Sequence, residues 1–121
     1  MTVDVGSYRF RQAILAAIAD EEMSKILACA TLKAKSVPDV IKEAGIPHST
    51  AYRKIKWMVE ESLLFTEKFE LTPDGKKFSL FRSTLKSIDV KFDSGKTRVQ
   101  VEYNVNILQR TAERLFSLGP A

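Results

Sequence analysis

Residues 36–64 read SVPDVIKEAGIPHSTAYRKIKWMVEESLL, and the fold turns on how this stretch is parsed. Ser36 is a helix N-cap candidate, and Asp39 three residues on gives a capping box with Asp in place of Glu. Pro38 is tolerated in a first helical turn. Val40, Ile41 and Ala44 then share one side, and Gly45 ends the helix in a left-handed conformation that glycine adopts cheaply. Ile46 can plug the corner between this helix and the next, which is expected over residues 48–62. With Ala51 at the centre of its buried side, steps of about 100° keep Ile55, Met58 and Ser62 nearby. Ser49, Arg53, Lys56 and Glu60 land opposite, Tyr52 flanks one edge, and Thr50 and Trp57 flank the other. A helix with hydroxyls at its start and Arg and Lys along its outer face matches the DNA major groove in width and in chemistry.

Upstream, Ser7 can cap a first helix over residues 7–19, with Phe10, Ile14, Ala17 and Ile18 on one side. Asp20 is a second N-cap, with Glu21 and Glu22 where the helix dipole favours anions. The stripe Met23, Ile26, Leu27 and Ala30 carries this helix to about Ala34, either as a separate element or as the second half of one bent helix. Downstream, Leu63–Phe65 and Phe69–Leu71 form a small hairpin turning at Thr66–Lys68. Thr72-Pro73-Asp74 then reads as a helix start, and Leu71, Phe78, Phe81, Leu85 and Ile88 recur at helical spacing beyond it. Residues 87–105 switch to period two around a Ser94-Gly95 turn. If Asp93 opposes Lys96, Val90 meets Val99 and Ile88 meets Val101, and both apolar sets share one face. A last helix is expected near residues 107–118. The expected class is therefore mainly α with small β.

The 121 residues suit a single domain, and 45% hydrophobic content is enough to form a core. The net charge of +4 has the sign that a polyanionic partner requires. It is spread evenly: residues 1–35, 36–60, 61–88 and 89–121 each carry one more basic than acidic side chain, so any basic patch must be made by folding. Cys29 is the one cysteine, which fits a buried thiol in a reducing, cytoplasmic setting. The longest apolar run, Ala13–Ala19, is too short to span a bilayer, and the N-terminus has no signal-peptide pattern.

The order helix, helix, Gly turn, helix, small hairpin is that of a winged helix-turn-helix. Ile46–Arg53 (IPHSTAYR) resembles the corner and recognition-helix start of small prokaryotic regulators of the ArsR and MarR kind. Ile55–Leu64 with Phe69–Lys77 resembles their helix end, wing and "LTxxGK" continuation, and the later hairpin resembles extensions of archaeal members. The match covers about residues 21–78, with a core at 21–71 and an extension at 72–121. Two departures stand out: Pro47 replaces a capping Ser or Thr, and Ser62 replaces the glycine common before the first wing strand.

The resemblance implies a sequence-specific, DNA-binding transcriptional regulator with its recognition helix at about 48–62 in the major groove of double-stranded DNA. Arg53 is the base reader, since its fork can bond guanine O6 and N7 together. His48, Ser49 and Thr50 stand at the helix start, where hydroxyls and N–H groups hold a phosphate or touch a base edge. Tyr52 and Lys56 suit phosphates, Ser36 a flanking phosphate, and Lys68 the backbone beside the wing. The apolar stripes at 7–19 and 107–118 either complete the core or form a twofold interface, and the second is favoured, giving a homodimer. Two other functions stay open: a winged-helix module for protein contacts in transcription or replication machinery, and a nonspecific, chromatin-like DNA coat. No cofactor is expected. His48 has no Cys or His partner for a metal site, the glycines form no phosphate loop, and no catalytic constellation assembles, so no enzyme is expected. A small-molecule effector cannot be assigned to any residue.

Overall fold

The computed structural model describes residues 1–104. Ser7 caps α1 (Tyr8–Ala19), its Oγ accepting from the Phe10 N–H at 3.2 Å. Asp20 takes an extended backbone and caps α2 (Glu21–Cys29), accepting from the Met23 N–H at 2.8 Å, so the N-terminal segment is two helices and not one bent one. The expected run to Ala34 ends at Cys29. There the Thr31 hydroxyl bonds back to the Leu27 carbonyl at 2.6 Å, and Lys35 exchanges backbone bonds of 2.8 and 2.7 Å with Phe81. Extended pairing with a distant strand thus replaces the last helical turn.

Ser36 and Asp39 form the full capping box of α3 (Val37–Ala44), and Gly45 closes it at φ 67° with its N–H on the Ile41 carbonyl. α4 (His48–Glu60) follows after Ile46, which is buried in the corner. The end of α4 solves the missing glycine differently. Ser62 itself goes left-handed, at φ 65°, while its N–H reaches the Val59 carbonyl and the Leu63 N–H reaches that of Met58. This is a Schellman closure with serine in the strained position.

The strands are β1 (Val3–Asp4), β2 (Leu64–Leu71), β3 (Lys77–Ser83), β4 (Leu85–Asp93) and β5 (Lys96–Tyr103). They form two antiparallel sheets, β2-β3 and β1-β5-β4, and hold about a third of the described residues. That overturns the mainly-α expectation: the fold is α+β, the hairpin expected to turn at Thr66–Lys68 is instead the single strand β2 running through those residues, and no helix starts at Thr72. Pro73 and Asp74 are the middle of a turn in which the Gly75 N–H bonds the Thr72 carbonyl, and the Thr72 N–H bonds that of Lys76. Gly75 sits at φ 86°, closing a hairpin by a tight turn plus a left-handed residue. The same Thr-Pro-Asp triplet suits a helix start, and the glycine after it decides for the turn. The spacing of Phe78, Phe81, Leu85 and Ile88 belongs to two strands that meet at a corner, where Ser83 and Thr84 are buried.

The other hairpin has the expected register: Asp93 opposes Lys96, Val90 opposes Val99, and Ile88 opposes Val101. Ile14, Ile26, Val40, Met58, Leu63, Leu64 and Val101 are fully buried, so the core joins the four helices of the described residues to both sheets. The helix expected at 107–118 lies outside the described residues. Among the described residues no helix is long and apolar enough to cross a membrane.

Candidate nucleic-acid interface

α4 is held by its inner side. Ala51, Ile55 and Met58 are buried, as their spacing from Ala51 requires. Lys54, at the margin of that side, reaches across to α2. Its Nζ lies 2.7 Å from an Asp20 carboxylate oxygen and 2.9 Å from one of Glu22, and only 12% of its side chain is exposed. Donating hydrogen bonds to Asp20, first, and then to Glu22 raises the Lys54 pKa, and accepting the bond from Lys54 lowers that of Asp20. At the far end, the guanidinium of Arg9 on α1 grips the Glu61 carboxylate at 2.9 and 3.1 Å. α4 is therefore tied to α1 and α2 by charge as well as by packing.

Its outer side is different. His48, Ser49, Tyr52, Arg53 and Lys56 are all exposed, and Thr50 is half-buried. Among the described residues Lys54 is the cation of α4 that is held in ion pairs, whereas Arg53 and Lys56 have none. The His48 and Tyr52 rings meet with centroids 4.7 Å apart, one helical turn apart in sequence. Pro47 occupies the N-cap and supplies no side-chain hydrogen bond, so the first amides of α4 face outward without a capping oxygen.

Ser36 stands apart from this group. It is buried, and its hydroxyl is committed to the Asp39 N–H within the capping box. Lys68 is exposed on β2, next to the irregularity in the strand pairing. The corrected hairpin adds two cations that the helical reading had misplaced: Lys76 at the turn, and Lys77, whose Nζ sits 4.0 Å over the Phe69 ring. The Pro-Asp-Gly signal was available to find them. Arg82 is not part of the surface charge: it bonds the Thr31 carbonyl at 2.9 Å and pairs with Glu67 at 3.1 Å, fixing the hairpin to the end of α2. Trp57 is half-buried against the core. Cys29 is half-buried too, and burial raises its thiol pKa. No protein-family model, curated protein or solved structure matches the chain.

Proposed function

We propose that the chain is a sequence-specific DNA-binding transcriptional regulator that lays the outer side of α4 in the major groove. One observation carries this reading. Of the three cations in mid-helix, Lys54 is neutralised by two carboxylates, while Arg53 and Lys56 project beside exposed Ser49 with no ion pair among the described residues. Arg53 reads a guanine, Lys56 and Tyr52 take phosphates, and the uncapped start of α4 at His48, Ser49 and Thr50 receives a phosphate on its amides. Lys68, with Lys76 and Lys77, touches the flanking backbone. Ser36 acts indirectly, by fixing the start of α3.

Binding of labelled duplexes, followed by fluorescence anisotropy, tests this. Arg53→Ala should weaken binding to the preferred site by about 2 kcal/mol and relax its sequence preference. Unchanged affinity and preference would remove Arg53 from the interface. Exposed Phe69, Leu71 and Phe78 on the β2–β3 hairpin favour a second reading, a module for protein contacts. The salt dependence of duplex binding separates the two, because several phosphate contacts demand a steep negative slope and a protein-contact module does not.

A further inference from the structure

The sequence expectation of a homodimer rested on terminal helical segments, one of which lies outside the described residues. A different surface carries an argument for self-association. β4 is the outer strand of its sheet, and among the described residues nothing pairs with its free edge. Along it Ile88 is half-buried, Val90 is 38% exposed and Phe92 is 73% exposed, so the apolar face of the hairpin runs from the core into solvent. Open edges of this kind are templates for another strand.

Backbone direction fixes which residues offer bonds. Asp93 and Lys96 close the two-residue Ser94-Gly95 turn, with both turn residues at positive φ, so they form a hydrogen-bonded pair. Every second residue back along β4, Lys91 and Asp89, also faces β5. Phe92, Val90 and Ile88 therefore direct their N–H and C=O groups to the free edge. The irregularity between Leu85 and Ser87 lies beyond this segment.

We infer that two copies of this chain pair antiparallel along β4, with the twofold axis at Val90. In this register Val90 meets its own copy and Ile88 meets Phe92 of the other chain, each as a hydrogen-bonded pair. On the opposite face each Asp89 meets the other chain's Lys91. Shifting the axis to Asp89 sets carboxylate against carboxylate, and shifting it to Lys91 sets ammonium against ammonium, so charge selects Val90 over both adjacent registers; an axis at Phe92 would also match Lys91 with Asp93 but overlaps only residues 91–93 of the strand. There is a second electrostatic reason. Within one chain Lys91 sits directly across from Arg98, a like-charge pair that costs stability, and the incoming Asp89 supplies the missing counter-charge. Phe92, the most exposed apolar side chain of the strand, gains cover.

Sedimentation equilibrium of the free protein over a concentration series tests the pairing without any DNA, so its outcome is independent of the role given to α4. The chain should be a dimer. Val90→Pro removes an outward N–H on an edge strand, where proline is tolerated, so it should give a monomer with unchanged circular dichroism. Asp89→Lys and Lys91→Asp should each raise the dimer Kd by about tenfold, and the double variant should restore it. The charge series probes the register without touching the backbone. A monomeric wild-type chain, a dimer indifferent to Val90→Pro, or charge reversals that add instead of compensating would each overturn the inference.

Discussion

Arg53 and Lys54 are neighbours in sequence and opposites in the fold. Lys54 turns inward onto Asp20 and Glu22, and Arg53 turns outward to solvent beside Lys56. One side of α4 serves stability and the other is kept clear. The evenness of charge along the chain conceals this, because a count cannot distinguish a cation already spent inside the fold from one still available to a partner. The helix period separates them: a step of about 100° between adjacent residues moves a side chain from the margin of the core to the outer face.

If the two sides are independent, changes on one should leave the readout of the other untouched. The largest effect is expected at the inner side. Met58→Ala empties a fully buried site and should cost about 3 kcal/mol of folding stability, measured by urea unfolding, while the folded fraction binds duplex DNA as before. Next is Lys54→Met, which should cost about 1 kcal/mol, again with duplex affinity intact. It also has a pH signature. The bond from Lys54, then that from the Met23 N–H, holds the Asp20 carboxyl below its ordinary value. The native state therefore binds that proton less readily than the unfolded chain. Stability from this group is complete above the unfolded carboxylate range and is lost as pH falls through the depressed native value. The raised Lys54 pKa acts oppositely: its contribution is complete below the ordinary lysine value and is lost as pH rises through the native one. Thermal melts should show a plateau between these limits, with a shallower acid limb in Lys54→Met.

On the outer side, Lys56→Ala should leave the melting temperature alone and lower the salt slope of duplex binding by about one. A loss of stability instead would show that the outer side is structural after all. The smallest effect is expected where α4 ends. Ser62→Gly relieves a left-handed serine and should add about 1 kcal/mol or less of stability, with no change in binding.

The helical half of this arrangement was legible because its signals are local. The capping box of Ser36 and Asp39, the left-handed Gly45 and the buried spacing of Ala51, Ile55 and Met58 each lie within a few residues of one another. The β4–β5 register was legible for the same reason, since a two-residue turn and strict alternation leave one pairing that unites the apolar sets. The β2–β3 hairpin was misread because Thr72-Pro73-Asp74 satisfies helix-start and turn rules alike, and apolar residues from two strands imitated a helical period. Both the Lys54 anchor and the Arg82 tie to the end of α2 escaped notice, as each joins residues remote in sequence. No local pattern announces such a contact.

Asp20 closes α1, begins α2 and grips α4, and the same carboxylate oxygen accepts from both the Met23 amide and Lys54. A contact made within one turn and a contact made across the chain therefore share a single acceptor. The joint between the first two helices gains its full strength only once the fourth has arrived, which couples their assembly into one cooperative unit. Hydrogen exchange at the Met23 amide should accordingly report on the seating of a helix thirty residues away, opening with it and not with the ends of its own segment.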